Sequence, residues 1–85
     1  DNRKIEIHTI GGNVITFYGK ISEVKRQTDV GRFIQISRSE LVNYNAVEEY
    51  REHMLTLRGG EVLPIVASRW KEAGEKILDY MGEMM

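Results

Sequence analysis

Residues 33–47 read FIQISRSELVNYNAV, and two patterns meet in them. Over residues 33–36 the chain alternates, with Phe33 and Gln35 on the face opposite Ile34 and Ile36, which is the period of two that marks a strand. Residues 37–45, SRSELVNYN, then gather Ser, Asn and Glu side chains that bond their own backbone, so turns and helix caps are favoured there over a strand. Leu41 and Val42 give that polar segment its apolar anchor. Residues 46–52 alternate loosely, Val47, Glu49 and Arg51 against Ala46, Glu48 and Tyr50.

On the N-terminal side, residues 4–9 (KIEIHT) place Ile5 and Ile7 on one side of a half-buried strand, with His8 turned outward. Ile10-Gly11-Gly12-Asn13 tolerates the positive φ of a tight hairpin, and residues 14–18 (VITFY) are β-branched and aromatic enough to return as a strand ended by Gly19. Residues 20–29 change period: Ile21, Val24 and Thr28 fall at helical spacing, with Glu23, Lys25, Arg26 and Gln27 on the other sides and Val30-Gly31 closing the helix. On the C-terminal side, residues 54–57 form a short strand, Arg58-Gly59-Gly60-Glu61 is a second glycine turn, and residues 62–66 (VLPIV) return. Pro64 cannot donate to a ladder, so that last strand is expected at a sheet edge or bulged. Residues 67–84 read as a final helix with Ser68 as its N-cap. Trp70, Ala73, Ile77, Met81 and Met84 lie on one stripe, and Gly74 and Gly82 weaken it, so that its last turn is expected to fray. The sum is a β-rich α+β domain of roughly six strands with one short inner helix and one C-terminal helix.

The bulk properties remove several function classes. The 85 residues suit a single small domain spanning residues 1–85. The absence of cysteine excludes disulfides, thiol chemistry and Cys-type zinc sites, and the longest apolar run is far short of a membrane span. Two distant histidines, His8 and His53, have no metal-ligand spacing. Gly11-Gly12 and Gly59-Gly60 open no helix and so cradle no phosphate, and no nucleophile elbow is present. Neither catalysis nor a cofactor, metal or small-molecule substrate is expected. Net charge is −1, but seven Lys/Arg against four Asp/Glu in residues 1–38 give +3, while five against nine in residues 39–85 give −4. A near-neutral total therefore hides a basic part, and it is local field that attracts phosphate.

Taken in order, VITFYGKISEV, GRFIQISRSELVNYNAV, LRGGEVLPI and VASRW resemble the LytTR-type DNA-binding domain. The family's core reads like F-x-R-I-x-R-S-x-x-V-N, matched by residues 33–43, followed after a hairpin by L-x-x-G…P-V-S-R, matched by residues 57–69. Gln35 and Ser37 depart from it, standing where the family often has Arg and His. The resemblance starts inside the family pattern, so this chain is expected to be a piece of a longer regulator whose first one or two strands precede Asp1. It implies a sandwich of small antiparallel sheets and DNA reading by inter-strand loops that enter successive major grooves, rather than by the recognition helix of a helix-turn-helix.

With that resemblance, Arg38 is the leading candidate for a base contact, because a guanidinium on a turn can pair bidentately with guanine; the alternative is a phosphate contact or a salt bridge to Glu40. Arg69, at the start of the last helix, is the second DNA candidate, against stacking on Trp70 or pairing with Glu72 or Glu61. Arg3 and Lys4, where the family places another DNA-facing loop, are candidates for phosphate, with Lys4 also able to reach a base edge. Ser39 is a further phosphate donor. Ser37, Ser39 and Asn43 otherwise shape the turn, and Lys25, Arg26 and Arg32 read as a solvated helix face. The expected function is sequence-specific binding of double-stranded promoter DNA, on direct repeats and as a homodimer, by the cytoplasmic output domain of a bacterial two-component response regulator with an upstream receiver or sensor domain. The alternative is a protein-interaction or dimerisation module of the same fold that reads no DNA.

Overall fold

A computed structural model of the chain describes residues 3–27 and 32–83, with the side chains of residues 27, 82 and 83 left out of the description. The expectations placed on Thr28, Val30, Gly31 and Met84 lie outside the described residues. The strands are β1 (Arg3–His8), β2 (Val14–Gly19), β3 (Phe33–Ser37), β4 (Glu40–Asn43), β5 (Val47–Arg51), β6 (Met54–Leu57) and β7 (Val62–Pro64). The helices are α1 (Ile21–Gln27) and α2 (Trp70–Glu83), with 3-10 turns over Tyr44–Ala46 and Ala67–Arg69. They form a four-stranded sheet, β2-β1-β4-β3, and a three-stranded sheet, β5-β6-β7. The β-rich α+β class is as expected.

The strand beyond the expected set is β4, inside the segment read as turns and caps. It is central in its sheet, pairing antiparallel with β3 and parallel with β1, so that the sheets are not antiparallel throughout. Its two apolar residues serve two cores. Leu41 packs with Ile5, Ile7 and Val24, flanked by Phe17, Ile21 and Phe33. Val42 points the other way, into the larger core of Ile34, Ile36, Leu55 and Ile77. Each fully buried aliphatic side chain contributes roughly 1.5–3 kcal/mol of transfer free energy, so a strand buried on both faces outweighs the local preferences of its polar neighbours.

That two-sided burial also corrects His8. It faces away from Ile5 and Ile7 as the alternation requires, yet it is only 5% exposed. Its face of β1 is covered by the β6–β7 hairpin region, and its imidazole Nε2 lies 3.5 Å from Glu40 with Nδ1 4.0 Å from Glu61. The expected hairpins form with Gly12 and Gly60 at φ of +81° and +93°. Pro64 lies on β7, an edge strand, as its missing N–H demands.

The final helix starts later than expected. Ser68 lies within the 3-10 turn, whose cap position is Val66 and carries no side-chain hydrogen bond, so Ser68 is not the N-cap. Ala73 and Ile77 are buried and Met81 packs against the same core. Trp70 leaves the stripe: its ring stacks on His53 with centroids 3.9 Å apart, and its indole Nε1 donates to the Ile65 carbonyl at 2.6 Å. The stack holds a strained corner, because Glu52 and His53 between β5 and β6 both have positive φ, a conformation side chains rarely adopt. Gly74 is explained by contact, since a Cβ there would stand 3.1 Å from the Tyr50 hydroxyl. Tyr44 stacks on Tyr80, whose hydroxyl donates to Asn45 Oδ1, tying α2 to the end of β4.

Candidate nucleic-acid interface

Arg38 and Ser39 are the two residues between β3 and β4. The turn is built by its neighbours. Ser37 Oγ accepts from the Ser39 backbone N–H at 3.3 Å and donates to Glu40 Oε1 at 3.0 Å, while Gln35 Nε2 donates to the Ser37 carbonyl at 3.0 Å. The Ser39 carbonyl accepts from Glu6 N–H at 2.8 Å, which stitches the turn to β1. Ser39 is thus a turn-forming residue, half-buried. Arg38 is exposed, and among the described residues no ion pair or side-chain hydrogen bond holds it. The salt bridge to Glu40 is not formed, because that carboxylate faces Ser37 and His8 instead.

The structure brings Arg38 and Arg3 together. Both line an open cleft of about 290 Å³ beneath α1, and Lys20 and Ser22 from the start of α1 line it too. Ile5 and Ile21 supply its apolar floor, and among the described residues no acidic side chain contributes. Lys4 is not part of it: successive residues of a strand project to opposite faces, so Arg3 enters the cleft and Lys4 stands exposed on the other side. Lys20 and Ser22 were not singled out from the sequence. The only local signal is a cation directly after the Gly19 that ends β2, and its nearness to Arg38 arises from the β1–β4 pairing.

Arg69 stands apart from the cleft but is joined to it through β3. Its guanidinium Nε donates to the Gln35 carbonyl at 3.4 Å, and Nη1 pairs with Glu72 Oε2 at 3.0 Å. Its side chain is 20% exposed, so part of the fork reaches the surface while the rest is fixed. Lys25, expected on a solvated helix face, is instead half-buried. Burial pushes its ammonium below the usual lysine range, helped by the positive charges of Arg69 and Lys76 and opposed by Glu72. Two groups of cations therefore flank β3: Arg3, Lys20 and Arg38 in the cleft, and Lys25 within electrostatic reach of Arg69 and Lys76. Such a set raises local counter-ion concentration and favours a polyanion. Among the described residues, no cluster of His, Asp and Glu is arranged to hold a metal, and no helix is long and apolar enough to cross a membrane.

The family model described as LytTr DNA-binding domain matches residues 1–77 of the chain. No curated protein and no solved structure matches it.

Proposed function

The chain belongs to the LytTr DNA-binding domain family, and from that premise we propose that it is the promoter-reading output domain of a bacterial two-component response regulator, acting in the cytoplasm. DNA binding is the family's role. The finer reading assigns base recognition to Arg38 and Arg69, with Arg3 and Lys4 on flanking phosphate or base edges and Ser39 donating to phosphate. The observation that carries it is the β3–β4 turn, which is braced by three hydrogen bonds among Gln35, Ser37, Ser39 and Glu40 and by a fourth from Glu6 N–H of β1, and which leaves Arg38 as its outward side chain, unpaired among the described residues. A rigid turn with a free guanidinium suits bidentate pairing to guanine in a major groove. Arg69, partly fixed by Gln35 and Glu72, suits a second groove. Two copies on a direct repeat, under control of an upstream receiver domain, complete the reading.

Selection from a random duplex pool tests it. The expected product is a short direct repeat with guanine at the positions that lose discrimination in Arg38→Ala and Arg69→Ala; a pool that emerges unenriched overturns sequence-specific reading. A second reading, a dimerisation module that reads no DNA, draws on β2, an edge strand whose Val14, Ile15 and Tyr18 are exposed. A stable DNA-free dimer that binds no duplex at low salt would select it.

A further inference from the structure

The cleft under α1 holds three cations from three separate elements: Arg3 from β1, Arg38 from the β3–β4 turn and Lys20 from the residue preceding α1. Among the described residues, no carboxylate lines it. Three like charges around one space repel one another, and a bound anion relieves that repulsion. The floor is apolar, Ile5 and Ile21, and the Ser22 hydroxyl stands at the rim as an uncharged donor. At about 290 Å³ the space lies at the small end of ligand clefts, which run from roughly 300 to 1,000 Å³. That suits one phosphodiester with the carbon face of its sugar better than an organic cofactor. It also adjoins the turn that presents Arg38.

We propose that this cleft seats one backbone phosphate of the bound duplex, with Lys20 as its charged anchor, Ser22 as a neutral donor, and Ile5 and Ile21 against the deoxyribose. The assignment rests on the DNA-reading function above and deepens it. The contact of Lys20 and Ser22 adds sequence-independent affinity beside Arg38, which is left to read the base; phosphate contacts position and base contacts specify. Lys20 is therefore a positioning residue whose loss weakens all duplexes alike.

The test is a binding titration over a range of salt, on operator and scrambled duplexes, with the unmodified chain, Lys20→Ala and Lys20→Arg. Each phosphate contact contributes about 0.9 to the slope of log affinity against log salt. Lys20→Ala should lower that slope by about 0.9 on both duplexes and leave their affinity ratio unchanged, and Lys20→Arg should restore it. A scan of single neutral methylphosphonates along the operator should find one position that weakens the unmodified chain and has no further effect on Lys20→Ala. An unchanged slope in Lys20→Ala, or no such position, overturns the phosphate seat while the unmodified chain still binds operator. If the unmodified chain binds no duplex, the DNA reading falls as well. Inorganic phosphate that binds saturably at Lys20 and Ser22, with the duplex slope unaltered, would give the cleft to a soluble anion and overturn the proposal.

Discussion

Arg38 and Arg69 represent two ways of presenting a guanidinium. Arg38 is free on a turn whose rigidity comes from Ser37, Ser39 and Gln35. Arg69 is held by a backbone carbonyl and by Glu72, which also lies 4.0 Å from Lys76. Glu72 does two opposed things: it orients the fork of Arg69, and it places a negative charge where a phosphate would approach. Glu72→Gln should therefore raise affinity for scrambled duplex and lower the preference for operator, measured as the ratio of the two dissociation constants at fixed salt. An unchanged ratio would mean that Glu72 orients nothing that reads bases. Since exposed ion pairs contribute only about 0–1 kcal/mol, the fold itself should tolerate this change. The departures at Gln35 and Ser37 from the more basic family pattern gain a meaning at this scale. Both side chains are spent on the turn, and Gln35 also offers its carbonyl to Arg69.

Among the elements, β4 decides the architecture. Leu41 and Val42 are adjacent in sequence and buried on opposite faces, so the strand has no alternation to detect. Polar Ser37, Ser39 and Asn43 around it are real turn and cap groups; Asn43 Oδ1 accepts from Asn45 N–H at 2.8 Å. Their local preferences hold at the two ends of the strand, and tertiary pairing with β1 overrides them in between. The same two-faced burial hid His8, whose outward side turned out to be a second inside. Trp70 departs from the helical stripe for a different reason: its partner His53 is distant in sequence and sits on a corner of unusual backbone. By contrast, elements set by local chemistry (the glycine hairpins, the alternating β1 and β3, the Ala73–Ile77 stripe) were legible. Leu41→Ala should cost about 2–5 kcal/mol of unfolding free energy in a urea melt, as truncation in a closed core does. Leu78→Ala, on the exposed side of α2, should stay within about 0.5 kcal/mol. Equal effects would contradict a central, doubly covered β4.

At the scale of the whole molecule, a chain of net charge −1 presents cations from β1, the β3–β4 turn and both helix starts around β3. The uneven charge along the sequence was visible; the convergence was not, because it needs the order β2-β1-β4-β3 to bring the start of β1 beside the turn that follows β3. Of the candidate residues, Arg3 and Arg38 share one cleft, Arg69 is linked through Gln35, Ser39 shapes the turn, and Lys4 faces away. The segment after β7 is tied to β3 by the Val66 N–H bond to the Ile36 carbonyl at 2.9 Å, so the β3–β4 turn and the start of α2 are parts of one framework. The claim on which everything else depends is that Arg38 reads a base. Its most direct test compares the unmodified chain with Arg38→Ala on operator and on scrambled duplex at one salt concentration. A loss of about 1–3 kcal/mol on operator, with little change on scrambled duplex, is the predicted result. An equal loss on both duplexes, or none on either, would contradict it.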